Sequence, residues 1–317
     1  MTMTSRPTIF ILGPTAGGKT ELSIELARRL PGGGECCCAD SMQVYRGMDI
    51  GTAKPTSEEQ AAAPHHLIDL VDPGEAFTID DWLGHARPCI AQIKKESRWP
   101  IVVGGTNLYI QACLGGFMEG PEPDESLRAE LAELDSAALR RELEQVDPEA
   151  AERIHPNDRR RTVRAIEVFR LTGRPISELQ VQWAGPGVAR DSIIIGLDWP
   201  VEAINRRINA RVGRMMDSGF LEEVRNLHET GAFGVQAREA LGYKQLLAHL
   251  EEGWSLEEAV ERIKILTRRF AKQQRTWLRR FRFFWEGLWV EAGVDSPEII
   301  VDKALAYIDS SPDCPPS

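Results

Sequence analysis

The sequence predicts an α/β fold in which a doubly wound parallel sheet carries an inserted all-helical domain and a helical C-terminal region. Short apolar strands alternate with amphipathic helices over roughly the first 115 residues, as in parallel sheets covered on both faces. From Pro121 to about Thr172 the pattern is purely helical. Ile193–Leu197 is strand-like again, and helices then continue to about residue 285. Strands on both sides of a helical stretch indicate an insertion into one sheet.

The elements of the first part follow from apolar spacing and from the residues that break it. Thr8–Leu12 is a short apolar run that ends at Gly13-Pro14, which predicts a buried strand meeting a loop. Residues 20–30 place a leucine at every fourth position, and the proline and glycines that follow stop this helix. Cys36–Ala39 and Ile101–Val103 are two further short strands. The chain therefore alternates strand and helix up to this point.

The helical stretch in the middle of the chain has its own periodicity and end signals. Asn157 or Asp158 caps a helix that closes at Gly173. We expect one domain built from residues 1–117 and 193–317 and a helical insertion at 118–192. Before that cap, apolar residues recur at three- and four-residue steps: Leu127, Leu131, Leu134 and Ala138.

Length and composition exclude several classes of protein. The 317 residues are 42% hydrophobic and 27% charged, which is ordinary globular composition. Six cysteines in a chain of this length, three of them consecutive at 36–38, indicate small buried residues rather than a disulfide framework or a tetrahedral metal site. No apolar run predicts a signal peptide or a membrane span, so we expect a soluble, cytoplasmic protein.

The charge distribution is uneven. The formal net charge is −10, yet residues 262–282 contain nine Lys and Arg and no Asp or Glu. One strongly basic segment in an acidic chain predicts a dedicated surface for a polyanion. The alternative interpretation is an ordinary helix with a core face and a solvated charged face, and Phe270 and Trp277 within the segment fit either interpretation.

The segment between the first strand and the first helix carries the clearest motif. Gly13-Pro-Thr-Ala-Gly-Gly-Lys19-Thr20 matches G-x-x-x-x-G-K-[ST], the phosphate loop. Its glycines allow backbone N–H groups to surround phosphate oxygens, and the helix N-terminus adds partial positive charge. Lys19 adds a full charge, and the Thr20 hydroxyl can ligate Mg²⁺. The motif predicts a P-loop-type core that binds two adjacent phosphates, without saying whether they belong to a nucleotide.

Two more strand ends carry polar side chains, where ligands bind in doubly wound sheets. They are Asp40-Ser41-Met42-Gln43 and Gly104-Gly105-Thr106-Asn107. Asp40 is either a cap of the following segment or a carboxylate that faces the phosphate-loop ligand, as a general base or behind a Mg²⁺ ion. Thr106 is either a cap or a hydroxyl presented to a substrate, since glycines permit close approach.

Several strings of residues together resemble one family, the tRNA dimethylallyltransferases, also called tRNA isopentenyltransferases. The resemblance covers roughly residues 8–285, and no C-terminal zinc finger follows, as in the bacterial branch. Gly17, Asn107 and Gln273 depart from the residues usual in the family. The matching strings are residues 13–20, Asp40–Pro55, His66–Asp69, Gly104–Tyr109, Arg160–Val168, Leu241–Gln245 and Lys272–Trp277.

The resemblance implies transfer of a dimethylallyl group from dimethylallyl diphosphate to N6 of adenosine 37, beside the tRNA anticodon, with release of diphosphate. It implies that Asp40 is the base, that Thr106 orients the substrates and that Arg211 stabilises the leaving diphosphate. It also implies Mg²⁺ as cofactor, with Thr20 as its ligand, and a monomer without an obligatory protein partner. The diphosphate would be held by Gly13, Pro14, Thr15, Ala16, Gly17, Gly18, Lys19 and Thr20.

The resemblance further implies a tRNA-binding surface drawn from the whole chain. An adenine must leave its stack to reach a cleft of this kind. Arginines of the insertion and of the basic segment would contact the RNA backbone. The implied tRNA-binding residues are Asp40, Ser41, Met42, Gln43, Thr106, Arg128, Arg160, Arg161, Thr162, Val163, Arg164, Gly242, Tyr243, Lys244, Lys272, Arg275, Trp277 and Arg279.

Two other classes of function share parts of this pattern. A small-molecule or nucleotide kinase would also have a phosphate loop, a base at the second strand end and an arginine-rich helical lid, here residues 159–164. That interpretation leaves the basic segment at 262–282 unexplained. A nucleotide-switched RNA-binding protein would not require Asp40, and the chain contains no N-K-x-D guanine signature.

Overall fold

The computed structural model describes residues 6–116, 120–180 and 191–311. Within them a six-stranded, wholly parallel sheet has the order β3-β2-β4-β1-β5-β6. The predicted α/β class with a doubly wound parallel sheet is confirmed. The strands are β1 (Thr8–Leu12), β2 (Gly34–Cys38), β3 (His65–His66), β4 (Trp99–Val103), β5 (Ser192–Asp198) and β6 (Leu288–Glu291).

Fifteen helices accompany these strands in the described part of the chain. None of them is long and apolar enough to cross a membrane, among the residues that the structure describes. They are α1 (Lys19–Arg29), α2 (Ser57–Ala62), α3 (Ile79–Lys95), α4 (Asn107–Gly115), α5 (Glu125–Glu133), α6 (Ser136–Val146), α7 (Pro148–Arg153), α8 (Arg159–Thr172), α9 (Ile176–Gln180), α10 (Val201–Asp217), α11 (Phe220–Glu229), α12 (Val235–Arg238), α13 (Tyr243–Glu251), α14 (Leu256–Phe284) and α15 (Pro297–Asp309).

The chain forms two compact units, Met1–Ala112 with Ala189–Ser317 and Cys113–Val188. The insertion predicted at 118–192 overlaps the second unit, and its assignment as an RNA-contacting domain stays a prediction. Residues 118, 119 and 181–190 of that prediction lie outside the described residues.

The middle of the sheet in the first unit is buried, because helices cover both faces. Every residue of β1, β2 and β4 is buried, as expected for strands in the middle of a parallel sheet. On one face α1 and α15 close an aliphatic core against β1, β4 and β5. On the other face Trp82 of α3 stacks on Tyr109 of α4 at 4.7 Å between ring centroids and donates a hydrogen bond to the Cys38 carbonyl.

The cysteines in the described part of the chain form no disulfide. Cys314 lies outside the described residues. Buried positions of β2 are occupied by Cys36, Cys37 and Cys38, as expected for small apolar residues. The Cys37 and Cys89 sulfurs are 3.8 Å apart, and this hydrogen bond lowers the pKa of Cys89 to about 7.

The second unit is a helical cluster with its own core. The predicted leucine repeat spans two helices rather than one, because Asp135 caps α6 through the Ala138 N–H and so ends α5. Asp158 is the cap of α8, and Gly173 closes that helix with a left-handed φ of 70°, which confirms the expected end signals.

One carboxylate holds this unit together. Glu167 of α8 is fully buried and accepts hydrogen bonds from Arg128 Nε at 2.8 Å, Arg164 Nη1 at 2.7 Å and the Asp124 N–H at 3.0 Å. Burial alone would raise the pKa of Glu167, but these hydrogen bonds outweigh it and the pKa lies below its usual value. The ionised carboxylate therefore stabilises the unit at neutral pH, and that contribution is lost as the pH falls through the lowered pKa.

Glu167→Ala should destabilise the second unit by about 3 kcal/mol, near the lower end for a broken buried ion pair because both arginines are partly exposed. The measurement is hydrogen exchange of the α8 amides in increasing urea. A matched control is Glu178→Ala, which removes an exposed pair with Arg174 at 3.8 Å and should cost at most about 0.5 kcal/mol. Equal protection of α8 in the two variants would contradict this role of Glu167.

Candidate active site

The phosphate loop joins β1 to α1 and surrounds its own lysine. Lys19 Nζ donates hydrogen bonds to the carbonyls of Gly13 at 3.0 Å and Pro14 at 2.9 Å. Gly18 has a left-handed φ of 85°, which only glycine adopts at little cost, and no described side chain caps the first turn of α1. The backbone N–H groups of that turn therefore remain available to an anion.

Two cations that are buried or partly buried lie at this loop. Arg211 projects from α10 and donates to Thr15 Oγ1 at 3.2 Å. The pKa of Lys19 is lowered to about 8, mainly by burial and also by the charge of Arg211, while the charge of Asp40 opposes both effects. Burial also lowers the pKa of Arg211, again opposed by Asp40. The structure thus brings together the loop, Arg211 and Asp40, as the sequence predicted.

Asp40 lies just beyond β2, beside the turn that follows β4. Its Oδ1 accepts a hydrogen bond from the Met42 N–H at 2.9 Å, so it does cap the following turn. Its Oδ2 faces Gly105, because a Cβ added to that glycine would lie 3.0 Å from this oxygen. A Cβ at Gly104 would lie 2.1 Å from the Ala39 carbonyl oxygen, so only glycine allows the two strand ends to approach. The capping role and a role toward a ligand are therefore compatible.

Thr106 lies in the same turn. Its Oγ1 accepts a hydrogen bond from the Ser41 N–H at 2.9 Å and donates to Ser41 Oγ at 3.2 Å. These bonds fix the hydroxyl beside Asp40. Because β2, β4 and β1 are neighbours in the sheet, their three carboxyl ends form one continuous edge.

A residue that the sequence analysis missed connects two of these strand ends. Gln274 of α14 is 2% exposed; its Oε1 accepts from the Thr15 N–H at 2.8 Å and its Nε2 donates to the Gly105 carbonyl at 2.9 Å. A signal for it exists in the sequence. Gln274 occupies a core position of the helix, between the buried residues Ala271 and Leu278, where a polar side chain needs partners.

The loop, Asp40 and Thr106 open into a cavity of about 270 Å³. Its polar end contains Thr15, Asp40, Thr106 and Arg211. Most of the remaining wall is apolar, and it is contributed by Ile208, Val212, Met215, Phe220, Leu241, Tyr243, Ile263 and Phe270. Such a site binds a ligand with an anionic end and a small apolar body.

Other residues predicted near the site support the structure around the cavity. Gln43 donates to the carbonyls of Thr52 and Ala53, both at 3.1 Å, and thereby holds the turn at residues 52–53. Tyr243 is fully buried and donates from its hydroxyl to Glu223 at 2.5 Å. Gly242 lines the cavity, whereas Lys244 is exposed and paired with Glu239.

The predicted tRNA-binding residues of the second unit differ in their exposure to solvent and in their hydrogen-bond partners. Arg128 and Arg164 are held by Glu167, and Thr162 is buried and donates to the Asp158 carbonyl. Val163 packs against the core of the unit. Arg160 and Arg161 are the exposed members of the set.

The basic segment lies on α14. Lys272 and Arg279 are exposed, and Arg275 is partly buried. Trp277 is partly buried against Phe281, at 5.9 Å between ring centroids, with the Arg280 guanidinium 5.8 Å from its ring. The helix thus has the core face of the alternative interpretation and a separate exposed basic face.

The Thr20 hydroxyl is the protein oxygen that fits a metal ion here. Thr20 is the second residue of α1, beside Lys19. Within residues 6–116, 120–180 and 191–311, no group of three His, Cys, Asp or Glu side chains could hold a metal ion. Mg²⁺ accepts one or two protein oxygens when phosphates and water supply the rest, so this single hydroxyl fits an ion that arrives with a diphosphate.

Comparisons with known proteins point to one family. The family model described as IPP transferase matches residues 43–281. A tRNA dimethylallyltransferase of Shouchella clausii is 46% identical over 282 residues, which cover 87% of this chain and 89% of the relative. A relative of the same name from Geobacter sulfurreducens is 47% identical over 277 residues, 86% of this chain and 88% of its own.

Solved structures are similar over nearly the whole chain. The full-length tRNA isopentenylpyrophosphate transferase of Bacillus halodurans has a TM-score of 0.69 at 38% identity, covering 96% of this chain and 97% of that one. Crystallographic snapshots of a eukaryotic dimethylallyltransferase acting on tRNA give a TM-score of 0.79 at 27% identity, over 97% and 81% of the two chains.

Fold and site together define a P-loop-type α/β transferase with an apolar pocket beside its phosphate loop. The chain belongs to the IPP transferase family, a family of prenyltransferases, and the resemblance seen in the sequence is confirmed.

The lowered pKa of Lys19 predicts how diphosphate binding depends on pH. Above its pKa of about 8, Lys19 of the ligand-free protein loses its proton. Bound phosphates favour the charged form of Lys19, so binding of the ligand at such a pH must take up a proton. The affinity for an alkyl diphosphate should fall by up to about tenfold per pH unit above pH 8. Calorimetry in buffers of different ionisation enthalpy measures this proton uptake. Lys19→Arg keeps its charge and should flatten the dependence; an unchanged profile in that variant would refute the assignment.

Proposed function

We propose that the protein transfers the dimethylallyl group of dimethylallyl diphosphate to N6 of adenosine 37 in tRNA, next to the anticodon, and releases diphosphate. The observation that carries the proposal is the cavity itself, where a phosphate loop, a carboxylate and an apolar wall meet. The relatives named tRNA dimethylallyltransferase support the same reaction.

In the proposed reaction Asp40 is the general base. An exocyclic adenine amine is a poor nucleophile, because its lone pair is delocalised into the ring. As the bond between N6 and the allylic carbon forms, the bond from that carbon to the diphosphate oxygen breaks, and Asp40 accepts the N6 proton. Thr106, fixed by Ser41, is the hydroxyl beside it that orients the substrates.

The leaving diphosphate gains charge as the allylic C–O bond breaks. Lys19, Arg211 and the backbone N–H groups at the start of α1 are fixed where that charge develops. A Mg²⁺ ion held by Thr20 and the phosphates would supply further neutralisation of the leaving group. The apolar residues of α10 and α14 exclude water from the allylic carbon.

RNA binding is proposed for two exposed basic surfaces, each within its own unit. In the second unit this surface comprises Arg160 and Arg161. It is supported by the ion pairs that Arg128 and Arg164 form with Glu167. In the first unit it is the exposed face of α14 that carries Lys272 and Arg279. Adenine reaches the cavity only when it leaves its stack.

The proposal includes a monomer in the cytoplasm. The family resemblance implies the monomer, and tRNA is a cytoplasmic substrate. The kinase alternative is not favoured, because the wall opposite the phosphate loop is apolar and the relatives are prenyltransferases.

The deciding experiment incubates the protein with tRNA, Mg²⁺ and radiolabelled dimethylallyl diphosphate, without any nucleoside triphosphate. We expect label in a modified adenosine after nucleoside analysis. Label that appears only when ATP is present, or a labelled phosphate ester in place of an adenosine, would favour a kinase.

Asp40→Asn tests the base directly. Asparagine keeps the acceptor oxygen for the Met42 N–H but cannot accept the N6 proton, so the turn should survive while catalysis falls. We expect kcat to decrease by about 10²–10⁴-fold, with tRNA affinity nearly unchanged. The control is Asp72→Asn, an exposed aspartate paired with Arg46. Turnover of Asp40→Asn close to that of the control would leave Asp40 only its capping role.

The exposed face of α14 predicts a salt-dependent RNA contact. Each phosphate neutralised by Lys or Arg should contribute about −0.7 to −0.9 to the log–log slope of tRNA affinity against salt. Lys272→Gln and Arg279→Gln should each weaken binding and flatten the slope by roughly one contact. Arg28→Gln removes an equally exposed arginine of α1 and is the matched control. Slopes equal to that of the control would mean that the RNA binds elsewhere.

A further inference from the structure

The Gln274 carboxamide connects two parts of the cavity. It accepts from the Thr15 N–H and donates to the Gly105 carbonyl, at 2.8 and 2.9 Å. Thr15 also accepts from Arg211 through its hydroxyl, and Gly105 immediately precedes Thr106. One side chain therefore bridges the loop for the leaving group and the turn beside the base.

The carboxamide has little freedom to do anything else. It is 2% exposed, and both its donor and its acceptor are used. A buried amide that lost one partner would leave a polar backbone group unsatisfied, so the two hydrogen bonds stabilise one arrangement of both strand ends. A Cβ at Gly105 would lie 3.4 Å from Gln274 Nε2 and 3.0 Å from Asp40 Oδ2, which shows how closely the three groups pack.

The element that carries Gln274 is also the one with the exposed basic face. Gln274 points inward from α14, and Lys272 and Arg279 are exposed on the same continuous helix of 29 residues. A displacement of this helix would therefore also displace the carboxamide, which is hydrogen-bonded to the phosphate loop.

We propose that Gln274 is a positioning residue that couples RNA binding on α14 to the arrangement of the phosphate loop and of the Gly105–Thr106 turn. The proposal rests on the proposed tRNA-modifying function. Through Gln274, tRNA bound to the basic face favours the loop arrangement that holds the diphosphate, and bound diphosphate favours tRNA to the same degree, because linkage is reciprocal.

The first test compares two neighbouring glutamines on one helix. Gln274→Met keeps the length and apolar fit but removes both hydrogen bonds, whereas Gln273→Met changes an exposed residue and is the matched control. We expect kcat of Gln274→Met to fall by about 10- to 100-fold, as a misplacement of about 1 Å does. Its direct tRNA affinity should stay close to that of Gln273→Met, whereas its melting temperature should fall by a few degrees, because two buried backbone groups lose their partner.

A second readout needs no turnover. The affinity for inorganic diphosphate with Mg²⁺ is measured with and without saturating tRNA. Wild type and Gln273→Met should bind diphosphate more tightly with tRNA present, by about fivefold or more. In Gln274→Met the ratio of the diphosphate affinity with tRNA to the diphosphate affinity without tRNA should be close to one. A purely structural glutamine would alter stability or both affinities and leave this ratio intact.

Gln274→Glu gives a signature that partial unfolding cannot mimic. An ionised carboxylate accepts from the Thr15 N–H but opposes the Gly105 carbonyl, whereas a protonated carboxyl offers one donor and one acceptor, as glutamine does. The ratio of its kcat to that of wild type should therefore rise as the pH falls.

The outcomes separate this proposal from the one on which it rests. If the wild-type protein transfers no label to adenosine, the proposed function fails. The ratio of the diphosphate affinities with and without tRNA then still tests the coupling. The coupling is overturned if Gln274→Met keeps the wild-type ratio and kcat. It is equally overturned if Gln274→Met fails to fold and Gln274→Glu shows neither a reduced ratio nor recovery at low pH.

Discussion

Two buried cations beside one loop are the electrostatic constraint on which this site depends. Lys19 and Arg211 are close enough for the charge of Arg211 to lower the pKa of Lys19, and burial lowers both pKa values. Like charges removed from water are costly unless fixed dipoles or an opposite charge compensate them. The carbonyls of Gly13 and Pro14 and the carboxylate of Asp40 supply that compensation. An incoming diphosphate completes it, so the protein is preorganised for a dianion rather than for an uncharged group.

The same constraint links Asp40 to the two cations and, in the proposed reaction, to the proton that it accepts from the substrate. Its charge supports the cations, and a proton accepted from a substrate would withdraw that support. In the proposed reaction the proton arrives as negative charge accumulates on the diphosphate at the neighbouring phosphate loop. The two changes therefore compensate each other within one turnover, because the cations exchange a carboxylate for a more highly charged leaving group.

The sequence was most informative where local chemistry decides the structure. Strand β1, the Asp158 cap, the Gly173 end and the phosphate loop lie where spacing and residue type placed them. Strands β3 and β6 were missed because they are two and four residues long and exist only through pairing with remote strands. The leucine repeat did not show the break at Asp135, since the three- and four-residue spacing continues across it.

Within the site, the strand-end residues were predictable and the side chains reaching in from later helices were not. Asp40 and Thr106 follow predicted strands, so topology alone brings them together. Arg211 was named through family resemblance, and its contact with Thr15 depends on how α10 packs. Helix periodicity marks Gln274 as a core position, but its partners Thr15 and Gly105 lie far away in sequence, and no local pattern encodes those contacts.

The discontinuity of the first unit has a consequence for how the chain folds during synthesis. β1 is central in the sheet and pairs with β5, whose residues leave the ribosome only after the whole of Cys113–Val188. The contiguous second unit can therefore fold first, while β1 waits with one edge unpaired. The wall of the cavity forms later still, when α10, α11 and α14 emerge. A nascent chain thus presents an incomplete sheet for most of its synthesis, and pairing across such a long separation makes closure of the sheet the slow step.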